Sequence, residues 1–172
     1  MRWLLLGAAF RKIFRPVIFL LPPETAMHTG EKLLKFRPVW RALAPAAEEI
    51  SLPAQMGDIS LRNPIGLAAG LDKKCEYLSS LADFGFGYVV GGTVTYNPRP
   101  GNSKPRVIRN KHSRSLINAL GIPGDGLTNA ITRLSELEHI PSKVLVSIAA
   151  LDDEEAVTCL EGLEPLVDAV EL

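Results

Sequence analysis

The sequence predicts an α/β fold in which about four parallel strands alternate with helices, preceded by a short helical extension. Two observations predict this class. Short apolar runs that suit strands buried on both faces recur from residue 65 onward, separated by segments of helical length. Ahead of them, two segments with helical apolar periodicity and basic side chains flank a Pro-Pro pair. We expect the extension to comprise residues 1–43 and the β/α part residues 44–172.

Composition and charge exclude several classes of protein. The 172 residues are 47% apolar and 22% charged, as in a folded protein with a core. The net charge is zero, but residues 1–41 contain eight Lys and Arg and two acids, whereas residues 152–172 contain eight acids and no base. The basic start suggests an anionic partner surface, and the acidic remainder argues against a nucleic-acid binder. Two cysteines without a CxxC motif or a histidine cluster indicate neither a zinc site nor a disulfide scaffold.

The extension predicts an amphipathic helix with one basic side. Its apolar residues follow helical spacing: Phe10, Ile13, Phe14, Val17, Ile18 and Leu21. Arg11, Lys12 and Arg15 lie off that stripe, and neither apolar run reaches the roughly 18 residues of a membrane span. Pro16 is expected to kink this helix, Pro22-Pro23 to end it, and Glu24 to begin a second helix that stops before Pro38. The helices could pack on their own domain or lie among lipid headgroups.

The remaining elements follow in order. After a Pro/Ala-rich linker at 44–49, a short hairpin is expected around Met56-Gly57-Asp58. Strands are predicted at 65–70, 88–95, 143–150 and from 167, and a long polar loop follows the second of them. Helices are predicted at 74–84, 125–137 and 152–163, with Asp125 as the N-cap of the second helix. Four strands do not close a barrel, which needs eight and about 250 residues. We therefore interpret residues 44–172 as the N-terminal part of a (β/α)8 TIM barrel, with a small open sheet as the alternative.

Functional residues are expected where the strands end, because active sites of β/α barrels lie there. The first strand ends in Ala68-Ala69-Gly70, whose small side chains let a flat ligand approach the backbone, and Lys73 could hold an anion. Lys73 could equally be a surface charge. For the basic loop of Arg99, Lys104, Arg106 and Arg109 we favour a solvated or loop-ordering role, and for Cys75 a structural one.

One long motif resembles a known family. GTVTxxPxxGNxxPR at 92–106, with GLAAGLDK at 66–73 before it and LIN at 116–118 after it, resembles the dihydroorotate dehydrogenases. The resemblance runs from about residue 20 to the end of the chain. LPPETAMH at 21–28 resembles the helical extension of the membrane-associated, quinone-using branch, which favours the bilayer interpretation of residues 1–41.

The resemblance implies a chemistry and a set of site residues. It implies oxidation of dihydroorotate to orotate in pyrimidine synthesis, in which FMN takes a hydride while a base removes a proton. It also implies a quinone as final electron acceptor and a peripheral position on the cytoplasmic side of a membrane. The residues implied to contact FMN are Ala69, Gly70, Leu71, Asp72, Lys73, Thr93 and Ser147. Those implied to contact substrate are Lys73 and Asn118, with a wall of Ala119, Leu120, Gly121 and Ile122.

Departures from the family pattern keep two alternatives open. NALGIP at 118–123 and SIA at 147–149 are closer to the soluble branch, and Ser147 stands where an asparagine is expected. The chain could thus be a soluble-type dehydrogenase with another acceptor, or a non-catalytic half-barrel that binds a membrane or a partner. The base is expected in a loop just after Leu172, so no catalytic residue is assigned within the chain. We expect the 172-residue polypeptide alone to be inactive and to bind FMN weakly, if at all.

Overall fold

The computed structural model describes residues 7–8, 10–44 and 52–172, which group into two compact units. The helical–hairpin unit consists of residues 1–33 and 102–120, and the sheet unit of residues 34–101 and 121–172. Residues 1–6 and 9 of the predicted extension and 45–49 of the predicted linker lie outside the described residues. The predicted domain boundary at residue 43 stays a prediction.

The helices of the helical–hairpin unit are interrupted at proline. A π-helical turn, Phe10–Phe14, continues into α1, Arg15–Ile18, and α2 spans Pro23–Leu34. Pro16 is the second residue of α1 and follows that turn without a break in helical backbone. The helix changes from π to α form at Arg15, next to the proline, and the kink expected at Pro16 stays a prediction. No helix among the described residues has the length and apolarity needed to cross a bilayer.

A β-hairpin replaces part of the predicted polar loop. Strands β5, Val107–Asn110, and β6, Ser115–Asn118, pair antiparallel in the helical–hairpin unit. Asn110 Oδ1 accepts the backbone N–H groups of His112 and Ser113 at 3.0 and 3.1 Å, which closes the turn. The prediction of a loop was wrong here because four-residue strands of mixed polarity give too short an alternation to recognise.

The sheet unit contains the predicted parallel sheet. Its four strands are β3, Gly66–Leu67; β4, Tyr88–Thr95; β7, Lys143–Ala149; and β8, Ala169–Glu171. All neighbouring pairs are parallel and the spatial order follows the chain, β3-β4-β7-β8. The hairpin of β1, Ala54–Met56, and β2, Ile59–Leu61, precedes them. The predicted α/β class and this first hairpin are confirmed.

Helices cover the sheet and bury the core against it. They are α4, Leu78–Ala82; α5, Leu127–Ser135; and α6, Asp153–Leu163. Fully buried side chains come from both layers and include Leu78, Leu81, Val89, Val146 and Leu163. Asp152 caps α6 by accepting the N–H of Glu155 at 2.9 Å, which confirms the acidic start of that helix.

Several predicted boundaries are wrong. The first strand is two residues rather than six, and α4 begins at Leu78 rather than Lys74, because the intervening residues form turns around a buried Asp72. Asp125 is not the N-cap of α5; Gly126 is. The second predicted helix ends at Leu34, and an unpredicted helix, α3, spans Arg37–Leu43 with Pro38 in its first turn.

Candidate functional site

The loop after β3 is hydrogen-bonded onto the end of β4. Gly70 N–H donates to Gly92 O at 2.9 Å, and Gly92 N–H donates to Asp72 O at 2.9 Å. Both glycines have positive φ, 98° and 100°, a conformation that side chains disfavour. The structure thus brings residues 69–72 beside Thr93, which the family resemblance assigned to the same cofactor; that role stays a prediction.

The two hydroxyl candidates meet across the sheet. Thr93 Oγ1 lies 3.2 Å from Ser147 Oγ. The β4–β7 register shifts between Gly92 and Val94, so that Thr93 is an extra residue in its strand. Such a bulge redirects a side chain, and here it places the Thr93 hydroxyl beside that of Ser147.

The side chain of Asp72 points into its own loop. It is fully buried, and its two oxygens accept N–H from Glu76 at 2.9 Å and from Tyr77 at 2.7 Å. Burial raises the pKa of Asp72, and the backbone N–H groups oppose that rise only in part. Asp72 therefore shapes the loop with its carboxyl group, and a contact with a flavin would have to come from its backbone.

Lys73 is half-buried beside an ion cluster that sequence reasoning missed. Lys74 Nζ lies 2.5 Å from Asp125 Oδ1, and Arg133 lies 2.6 Å from Asp125 Oδ2 while donating to the Lys74 carbonyl at 2.9 Å. Burial pulls the pKa of Asp125 up, but Lys74 and Arg133 together lower it. The cluster fastens the loop after Lys73 to α5. Only the sequence proximity of Lys74 to Lys73 could have hinted at it.

The candidate substrate wall is divided between the units. Asn118, Ala119 and Leu120 belong to the helical–hairpin unit, and Gly121 and Ile122 to the sheet unit. Ala119 is held locally, since its N–H donates to Arg106 O and its carbonyl accepts from Asn102 Nδ2, both at 2.9 Å. The Asn118 side chain is exposed.

The sheet-unit residues fit a flat cofactor. A Cβ atom built on Gly70 would have no atom within 4 Å, so open space borders the backbone there. Gly70 is exposed, Ala69 is half-buried, and the neighbouring Leu71 side chain is 41% exposed. A small-residue surface with hydroxyl donors and a lysine nearby is chemically suited to a flavin ring and an anionic substrate.

Two other groups named from the sequence have structural roles. Cys75 is buried, and burial raises the pKa of its thiol to about 12, so it is a structural thiol as expected. In the basic loop, Arg106 pairs with Glu24 at 2.8 Å and Arg109 stacks 4.1 Å from the centre of the Phe19 ring. These contacts order the loop within the helical–hairpin unit.

Comparison with known proteins assigns the family. The sequence model described as dihydroorotate dehydrogenase matches residues 51–172. This chain belongs to the dihydroorotate dehydrogenase family. The resemblance inferred from the GTVTxxPxxGNxxPR motif is therefore confirmed, and the four parallel strands are part of the β/α barrel of this family.

Its relatives are named as the quinone-dependent type. A dihydroorotate dehydrogenase (quinone) of Psychrobacter sp. is 38% identical over 127 residues, covering 74% of this chain and 37% of the relative. A dihydroorotate dehydrogenase (quinone) of Polaromonas naphthalenivorans is 35% identical over 170 residues, covering 91% of this chain and 49% of the relative. A crystal structure of DHODH from Eimeria tenella in complex with ferulenol superposes with a TM-score of 0.73 at 25% identity. The superposition covers 87% of this chain and 43% of the Eimeria chain. The chain spans about a third to a half of the length of these proteins.

Proposed function

We propose that this chain serves the oxidation of dihydroorotate to orotate in de novo pyrimidine synthesis, with FMN as cofactor and a quinone as final electron acceptor. Family membership and the names of the relatives support the reaction and the acceptor. The observation that carries the proposal is the arrangement at the end of β4, where an open small-residue loop, which continues in sequence into Lys73, lies beside two hydroxyl groups.

Each residue of this arrangement has a role that its chemistry suits. Bound FMN would supply the hydride acceptor and pass two electrons on to the quinone. Gly70 leaves room for the ring, and the paired hydroxyl groups of Thr93 and Ser147 can hydrogen-bond to its polar edge. The ammonium group of Lys73 balances the carboxylate of the substrate and the negative charge that develops beside it. Asn118 would bind the amide edge of the substrate.

Lys73→Ala is the decisive substitution. The polypeptide expressed from its complete reading frame should bind FMN and show dihydroorotate-dependent reduction of a quinone analogue. Lys73→Ala should lower kcat/KM about 100-fold, because it removes a charge that stabilises the transition state. The control Lys143→Ala removes a lysine that pairs with Asp168 at the opposite end of β7, and should retain activity.

The outcomes separate the alternatives. A colourless protein without activity would contradict the proposal and favour a binding module. A yellow protein that oxidises dihydroorotate with a soluble acceptor but not with the quinone analogue would assign it to the soluble branch. Equal activities of the Lys73 and Lys143 variants would remove Lys73 from the site.

We also propose that residues 1–41 contact a membrane surface as a peripheral element on its cytoplasmic side. Phe14 and Val17 are 59% and 61% exposed, and Arg11, Lys12 and Arg15 adjoin them. Exposed apolar side chains beside cations are typical of helices that lie in the headgroup region. Phe14→Asp with Val17→Asp should release the protein from floating anionic vesicles, whereas Val157→Asp on α6 should not. Unchanged flotation of the double variant would contradict the contact.

A further inference from the structure

The neutral net charge of the chain hides two strongly charged units. The helical–hairpin unit contains ten Lys and Arg and two acidic residues, and the sheet unit contains nine Lys and Arg and seventeen acidic residues. Half of the positive charges in the first unit lie within Asn102–Leu120, which has no acid. This segment therefore carries as much positive charge as residues 1–33, and three of its cations, Arg109, Lys111 and Arg114, lie in the hairpin itself.

The hairpin also exposes apolar side chains. Ile108 and Ile117 are directly opposite in the β5–β6 register, so they share one face, and they are 55% and 60% exposed. Leu116, on the other face, is equally exposed. A pair of adjacent isoleucines in water is unfavourable by the hydrophobic effect, so this face is suited to an apolar environment.

Basic side chains surround the tip of this hairpin. Lys111, His112 and Arg114 occupy the turn and are exposed. Within the part of the chain that the structure describes, neither Lys111 nor Arg114 has an acidic partner, in contrast to Arg106, which pairs with Glu24. Two available cations next to an exposed isoleucine pair match the boundary between lipid phosphates and acyl chains.

The hairpin is joined to the helical segment of the same unit. Arg109 donates to Phe19 O at 3.1 Å and stacks on the Phe19 ring. Arg106 Nε donates to Glu24 Oε1 at 2.9 Å. These contacts make the hairpin continuous with the helices for which a membrane contact is proposed above.

We propose that the β5–β6 hairpin is a second lipid-contacting element, in which Ile108 and Ile117 enter the headgroup boundary of an anionic bilayer while Lys111 and Arg114 bind lipid phosphates. The inference extends the proposed membrane contact from residues 1–41 to residues 107–118. It is independent of the catalytic proposal.

The charge contribution is tested by vesicle flotation. On vesicles of phosphatidylcholine and phosphatidylglycerol, Lys111→Ser with Arg114→Ser should weaken binding about 30-fold, since each cation near the surface contributes about a factor of five. The same variant should bind pure phosphatidylcholine as the unmodified protein does. Arg99→Ser with Lys143→Ser removes equal charge from the sheet unit and should change binding little.

The insertion of the apolar face is tested with a fluorescent label. Cys75 and Cys159 are buried, so a thiol introduced by Ile117→Cys can be labelled selectively with an environment-sensitive dye. Its emission should shift to the blue when anionic vesicles are added. The same dye at Val157→Cys, on the exposed surface of α6, should not respond.

Every other outcome overturns the inference. If the protein floats, and Phe14→Asp with Val17→Asp releases it while the hairpin charge variant and the label at position 117 show no effect, the helices bind lipid and the hairpin does not. If the unmodified protein does not float, both membrane proposals fail. If the label shifts with protein concentration in the absence of vesicles, the face binds a second copy of the chain instead.

Discussion

Replacing Gly92 by alanine is expected to destabilise the sheet unit by about 3–5 kcal/mol, a large part of the total stability of a domain of this size. Gly92 has φ of 100°, and a Cβ atom there would lie 2.5 Å from Ser147 O and 2.8 Å from Val94 N. Both obstacles are backbone atoms in the centre of the sheet, so they cannot move aside as a flexible side chain could. The substitution would separate β4 from β7 where Thr93 and Ser147 meet.

Gly70→Ala is the matched control for this prediction. Gly70 has nearly the same φ, 98°, but a Cβ atom there would meet nothing within 4 Å. Only the conformational cost applies, about 1–2 kcal/mol. Urea unfolding can be followed by the fluorescence of Trp40, which packs 5.4 Å from Phe84 in the sheet unit, in a Trp3→Phe background. Equal losses of stability in the two variants would show that the close approach of β4 to β7 is not what requires glycine.

Asp72→Ala should destabilise the same unit by about 3–5 kcal/mol. It removes the acceptor of two buried N–H groups, those of Glu76 and Tyr77, and leaves a cavity. Asp72→Asn should be intermediate, since an amide oxygen can accept one of these bonds while its NH2 group faces the other donor. Asp153→Asn, at an exposed position on α6, should change the free energy of unfolding by less than about 0.5 kcal/mol. Similar stabilities of the Asp72 and Asp153 variants would contradict the role of Asp72.

The pH dependence of the Asp72 effect has a defined sign. Burial raises the folded-state pKa above the ordinary value of 3.8, so the native state binds this proton more tightly than the unfolded state does. The contribution of Asp72 to stability is therefore complete below the unfolded pKa and falls as the pH rises through the folded pKa. The stability difference between the unmodified protein and Asp72→Asn should accordingly be larger in acid than at neutral pH. A difference that grows towards neutral pH would mean that the N–H groups outweigh burial.

The course of the polypeptide around the site shows where sequence reasoning succeeded. The strands at 88–95 and 143–149 were predicted almost to the residue, because long apolar runs with β-branched side chains signal buried parallel strands locally. The end of the first strand was expected to carry functional residues because active sites of β/α barrels lie at strand ends, whereas Thr93 was named through the family motif. Neither inference needed knowledge of distant contacts.

The failures share a cause. Asp125 was predicted as a helix cap from the residues beside it, but its partner Arg133 also binds the Lys74 carbonyl, 59 residues away in sequence. The role of Asp72 beside a flavin stays a prediction, but the sequence did not reveal that two backbone N–H groups hold its side chain once the loop has closed. The hairpin at 107–118 was missed because its strands are short and mixed in polarity.

The sequence by itself determined the α/β class, the strands and helices of the sheet, the family, and the set of residues from which a flavin site is proposed, because each depends on local periodicity or on a contiguous motif. Only the tertiary structure decided which of these residues border open space and that Asp72 supports its loop from within. It also decided that Lys74, Asp125 and Arg133 form one ion cluster, and that the positive charge collects in one unit with an exposed hairpin. These properties depend on contacts between residues far apart in the chain, and the free energy of such contacts is set by burial and distance rather than by neighbouring sequence.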